Sequence, residues 1–210
     1  MGLIYSNVVK HDNLSFEDYL RLPGQGHSFY KSAKDGIVED FTPTEKMQLG
    51  SVVDLILTEP ARADMNHRLY SVALRIAAKI QTDFGTYLRF MKSQVSYNGT
   101  VTDDVSGLSL AITGRLDYLL SELAVLDLKV TAAGTKSNPV GSLLALIEFM
   151  GYDNQLYNYG RMAKVAKHYI LIHSTALNAT YLFQRLTTPE SIAKAEAWWA
   201  GKIEEHGMII

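Results

Sequence analysis

GRLDYLLSELAVLDLKVT, residues Gly114 to Thr131, decides the fold. Two apolar runs flank a polar break at Ser121-Glu122, which predicts a pair of strands, LSLAITGRLDYLL and AVLDLKVT. Yet the runs carry Asp117, Asp127 and Lys129. Side chains alternate across a strand, so Val125, Asp127, Lys129 and Thr131 share one face. Leu126, Leu128 and Val130 share the other, which can pack against a helix. If the two strands pair as a hairpin, Asp117 reaches the same region as Asp127 and Lys129. Carboxylates held close repel, and one tends to keep its proton. A divalent cation removes that conflict. Two Asp, one carbonyl and some waters are hard oxygen ligands that suit Mg²⁺ or Mn²⁺. Such a metal polarises a phosphoryl oxygen, and a lysine beside the attacking water can orient it or help deprotonate it. The arrangement suits phosphodiester hydrolysis. The same spacing also describes a surface Asp–Lys pair on a hairpin rim.

Outward from this stretch, the pattern is mixed. Ser15 with Asp18 three residues later predicts a short helix over LSFEDYLRL. A turn-rich segment, PGQGHSFYKSAKDG, follows. Thr44 caps a helix that Pro60 ends, and Leu69, Val72, Ala73, Ile76 and Ile80 mark another. Asn98-Gly99 signals a tight turn. Residues from about Pro139 to Lys167 read as helix, HYILIHS and ATYLFQRL as strands. Thr188-Pro189 starts a last helix. The expectation is an α/β (α+β) fold, a central mixed sheet flanked by helices. One domain spans 1–210, with a helical portion over about 1–90 and a sheet-containing core over about 91–210.

The bulk properties narrow the chemistry. The chain has 210 residues, 47% hydrophobic and 20% charged, with a formal net charge of -2. A nucleic-acid partner is not advertised by that charge, although a local basic channel fits within it. The absence of cysteine excludes disulfides, thiolate zinc sites and a cysteine nucleophile. It fits a cytoplasmic location. The N-terminal residues lack an apolar signal core, Gly2 and Ser6 match a short myristoylation pattern of little weight, and no apolar run spans a bilayer.

Four motifs in order give a resemblance. Gly50, Asp54 and Glu59-Pro60 lie in LGSVVDLILTEP, Asp117 in GRLD, Asp127-Leu128-Lys129 in the next strand, and Gln155 with Tyr159 in YDNQLYNYG. Over about Leu49 to Tyr159 the chain resembles the PD-(D/E)XK nuclease superfamily, in its RecE/RecB-like exonuclease branch. The resemblance implies a restriction-endonuclease-like core and a Mg²⁺- or Mn²⁺-dependent deoxyribonuclease, an exonuclease on linear duplex ends in phage-type recombination. Alternatives are an endonuclease or single-strand nuclease on the same fold, or a catalytically silent DNA-binding or assembly protein. It implies Asp117, Asp127 and the Leu128 carbonyl as metal ligands, Lys129 at the water, and Gln155 and Tyr159 orienting water and substrate. It further implies duplex DNA ends, a single-strand annealing protein and a homo-oligomer as partners, and no membrane. Two positions depart from the pattern. Asp54 stands where the family places a ligand His, and Leu116 replaces the proline before the first acid. Asp54 can ligate Mg²⁺, or mark a decayed site. The cysteine-containing iron–sulfur relatives are excluded.

Other residues carry weaker signals. The six histidines are scattered without metal-ligand spacing. His27, Lys31 and Lys34 could touch DNA from a loop, and Arg115 could meet a phosphate or a carboxylate. Arg161, Lys164 and Lys167 suggest a basic stripe along a helix. Of the adjacent Trp198 and Trp199, one is expected in the core and the other partly exposed.

Overall fold

The computed structural model describes residues 2–26, 30 and 44–209. The expected DNA contact of His27, Lys31 and Lys34 lies outside these residues. The strands are β1 (Leu3–His11), β2 (Lys92–Asp103), β3 (Leu108–Leu120), β4 (Ala124–Thr131), β5 (Lys167–Ser174), β6 (Ala179–Arg185) and β7 (Met208–Ile209). The helices are α1 (Phe16–Leu20), α2 (Glu45–Thr58), α3 (Tyr70–Leu88), α4 (Pro139–Met150), α5 (Tyr152–Ala163) and α6 (Pro189–His206). The sheet is seven-stranded, ordered β1 to β6, with β7 paired to β3. All ladders are antiparallel except β4 with β5. That parallel pair needs a crossover, which α4 and α5 supply.

Local chemistry sets the helix starts. The Ser15, Thr44, Asn138 and Thr188 side chains each accept a backbone N–H at the N-terminus of α1, α2, α4 and α6. Pro139 and Pro189 occupy first-turn positions, where a missing N–H costs nothing. Gly151, at φ 67°, ends α4 in the left-handed region and turns directly into α5.

The sheet divides two cores. On one face Val125, Ile170 and Ile172 pack with Leu143, Leu156, Trp199 and Ile203 of α4, α5 and α6. On the other, Leu126, Leu128 and Leu171 pack with Val53 of α2 and Ala73, Ile76 and Ile80 of α3. The expected division of β4 into an apolar face and an Asp127/Lys129 face is therefore observed. Trp199 is fully buried and its indole N–H donates to the Asn154 carbonyl at 2.8 Å, while Trp198 is half-buried.

Three expectations are corrected. The N-terminal portion is not helical throughout: residues 3–11 form edge strand β1, paired along β2. Asn98-Gly99 makes no turn and lies inside β2; the reversal comes at Asp104 to Gly107. Gly99 instead makes room for a bulge in β1, where Asn7 is left-handed at φ 52°. A Cβ on Gly99 would lie 3.0 Å from Val8 Cγ2 and 3.2 Å from the Ser6 carbonyl oxygen. The basic stripe is also absent. Helix α5 ends at Ala163, Lys164 is its left-handed cap, and the exposed Arg161 is tied to the sheet edge, donating to the Leu3 carbonyl at 3.2 Å.

Candidate active site

The fork between β3 and β4 creates the site. These strands pair only at Tyr118–Leu126, Leu119–Val125 and Leu120–Ala124, then diverge. Asp117 and Asp127 are the next residues on each side. Asp117 Oδ2 bridges the opening by accepting the Leu128 N–H at 2.7 Å. The β2–β3 ladder breaks at the same level. It pairs Ser93 with Tyr118 and Val95 with Leu116, but skips Gln94 and Asp117, which stand opposite each other. Gln94 is left-handed there, at φ 53°. The facing of β3 changes across the break, since Leu116 belongs to the α4–α6 core and Tyr118 to the α2–α3 core. Continued one step beyond Tyr118–Leu126, the hairpin register sets Asp117 opposite Asp127, as side-chain alternation predicts.

Four charged side chains converge here. Asp127 is 2% exposed, and Lys129 Nζ lies 2.5 Å from its Oδ2. The pair is ionic in distance but lacks the angles of a directed hydrogen bond. Lys129 also sits 5.0 Å from the Tyr152 ring centroid. Burial pulls the ammonium's pKa down, but Asp127 and Asp117 outweigh it and hold it above its ordinary value. Asp117 is pushed well up by burial, and further by Asp54 and Asp127. Asp54, on the α2 face, is pushed to about 6, chiefly by burial, against hydrogen bonding from Gln94 and attraction to Lys129. Its Oδ1 is buried without a hydrogen-bond partner. A hairpin-rim pair is therefore not what Asp127 and Lys129 form.

Helix α5 closes the opposite side. Gln155 Nε2 donates to Tyr159 Oη at 2.7 Å, so these two residues share a face as their spacing requires. Tyr159 is held well above its ordinary pKa by burial, then by Asp127, and keeps its proton. Its ring comes close to β3 because residue 114 is glycine. A Cβ there would lie 2.6 Å from Met162 Cε and 2.7 Å from Tyr159 Cε1.

A second set of residues escapes the sequence reading. Arg115 turns away from the fork and ion-pairs with Glu59. Its Nε donates to Gln94 Oε1 at 2.5 Å. Its guanidinium lies 5.6 Å from the Phe16 ring centroid and 5.9 Å from that of Tyr19. Of its two expected roles, it pairs with a carboxylate. The Glu59-Pro60 motif was a signal for this pairing; nothing in the residue order signalled Gln94.

The donor chemistry fits a hard divalent cation: the Asp127 carboxylate raises the energy of both Asp54 and Asp117, and Asp54 Oδ1 is buried with no protein donor. Among the described residues, no three His, Asp or Glu side chains are arranged to hold one ion between them. An ion here would take fewer than three carboxylates, with backbone or water oxygen filling its shell.

The chain thus has a mixed seven-stranded sheet between two helical layers, with an acidic cluster where β3 and β4 fork. The chain shares this fold with a solved structure from Eubacterium rectale, named "Putative exonuclease", at a TM-score of 0.59 and 16% identity, covering 93% of this chain and 87% of that one. A second solved chain, SSO0001, gives a TM-score of 0.41 and 15% identity over 74% of this chain and 75% of that one. No family model matches the chain, and no curated protein sequence matches it. Among the described residues, no helix is long and apolar enough to cross a membrane.

Proposed function

We propose that this chain is a metal-dependent deoxyribonuclease that hydrolyses phosphodiester bonds, acting as an exonuclease on the ends of linear duplex DNA. The observation that carries this reading is the buried Asp127–Lys129 pair at the strand fork, faced by Asp117 and Asp54. The fold likeness supports it, as does the order of the four motifs. Asp117, Asp127 and the Leu128 carbonyl would hold Mg²⁺ or Mn²⁺, with Asp54 contributing directly or through a bound water. When bound, the cation supplies a Lewis acid at the phosphoryl oxygen and offsets the carboxylate repulsion.

Lys129 remains an ammonium at neutral pH, because the carboxylates hold its pKa up. Its part is to donate hydrogen bonds to the attacking water and to the phosphoryl oxygens, not to take a proton. Tyr159 keeps its hydroxyl proton and fixes the Gln155 amide, which orients water or phosphate. Hydrolysis forms a bond from the water oxygen to phosphorus and breaks the bond to the leaving oxygen. The water's proton passes to solvent and the leaving oxygen is protonated.

The test is incubation of linear and closed circular duplex DNA with Mg²⁺ or Mn²⁺, followed on a gel. Shortening of the linear form alone, abolished by chelator, is expected. Equal cutting of circles makes the enzyme an endonuclease. No cutting of any duplex or single strand, with either metal, refutes the nuclease reading.

A further inference from the structure

A glutamine in the left-handed region is uncommon, and a buried one costs backbone energy that its surroundings must hold in place. Gln94 is such a residue, 9% exposed at φ 53°, at the point where the β2–β3 ladder fails. Its amide links Arg115 on one side to Asp54 and Thr58 on the other. Gln94 Nε2 donates to Asp54 Oδ2 at 2.9 Å and to Thr58 Oγ1 at 3.2 Å. Thr58 in turn donates its hydroxyl to the Asp54 carbonyl at 2.8 Å.

The direction of the amide follows from chemistry. Arginine has donors only, so the Gln94 atom 2.5 Å from Arg115 Nε must be the oxygen. The nitrogen must then face Asp54. Arg115 is itself fixed by Glu59 and by the Phe16 and Tyr19 rings. A chain from Glu59 through Arg115 and Gln94 therefore ends on one oxygen of Asp54. The other, Oδ1, is left buried and unpartnered.

We infer that Gln94 is a positioning residue that engages Oδ2 of Asp54 and presents Oδ1 to a divalent cation at the fork. This rests on the metal reading above and adds a residue to it. Outer partners of ligating carboxylates typically contribute about 10- to 100-fold to metal affinity. Gln94→Met removes the donor and keeps the length of the side chain.

The experiment is calorimetric titration of Mn²⁺ into metal-free protein, without DNA, for wild type, Gln94→Met, Asp54→Asn and the double variant. Gln94→Met is expected to bind about 10-fold more weakly or worse. In the Asp54→Asn background the same substitution is expected to change affinity less than twofold, because the residue through which it acts is altered. A merely structural role would lower affinity equally in both backgrounds, and that result overturns the inference. So does unchanged affinity in Gln94→Met while wild type binds. A wild type that binds no Mn²⁺ removes the metal reading itself, a separate outcome. If Gln94→Met does not fold, Arg115→Lys takes its place: it frees the amide to rotate and is expected to weaken binding several-fold, again only when Asp54 is present.

Discussion

Asp54→Asn should make the metal-free protein more stable while removing function. The carboxylate is half-buried beside Asp127 and Asp117, and burial carries its pKa from 3.8 to about 6. A carboxyl whose pKa is higher folded than unfolded favours folding while protonated, and that advantage is lost as pH rises through the folded value. One pKa unit is worth about 1.4 kcal/mol, so at pH 8 the charged form costs the fold about 3 kcal/mol. Asparagine keeps the shape. Its oxygen can accept from Gln94, and its amide nitrogen can face the carboxylates that Asp54 opposes. For a chain of this size 1 kcal/mol moves Tm by about 2–4 °C. The variant should therefore melt about 6 °C or more above wild type at pH 8, with the gap closing near pH 4, where both are neutral. Thermal unfolding in chelator from pH 4 to 8 measures this. An equal or lower Tm for the variant at pH 8 would show that Asp54 is not held against an electrostatic cost.

Lys129→Met leaves Asp127 buried without its cation, so a loss of about 3–5 kcal/mol is expected in metal-free denaturant titrations. In the same variant, turnover on linear DNA should fall by about two orders of magnitude. Gly114→Ala forces a methyl group against Met162 and Tyr159 and should lower stability by about 1–3 kcal/mol, read by chemical denaturation. Trp199→Ala empties the centre of the α4–α6 core and should cost about 3–5 kcal/mol in the same assay.

The sequence carried the parts of this fold that depend on neighbours in the chain. Period-two alternation correctly assigned Leu126 and Leu128 to a helix-packed face and set Asp127 beside Lys129. Cap residues located the helix starts at Ser15, Thr44 and Thr188. What could not be read depends on strands far apart in sequence. Asn98-Gly99 has the composition of a turn, but its glycine answers a bulge in β1 some ninety residues earlier. Asp117 lies at the site as hairpin pairing predicts, one step beyond Tyr118–Leu126, but the failure of both ladders at its level depends on β2 and was not legible. Gln94 is left-handed under a constraint from Arg115, Asp54 and Thr58, none adjacent to it in sequence, so no local propensity betrays it.

The two cores on opposite faces of β4 have a consequence for how the protein would age or be inactivated. Asp54 travels with one helical layer, Gln155 and Tyr159 with the other, and Asp117, Asp127 and Lys129 with the sheet between them. The cluster is assembled only while both seams hold. A cavity in either layer, or oxidation of the buried Met162 in the α4–α6 core, can therefore silence the chemistry by letting that layer slide, with every reacting group chemically intact. Loss of activity would then run ahead of loss of secondary structure, and lesions scattered widely through the molecule would share one functional outcome.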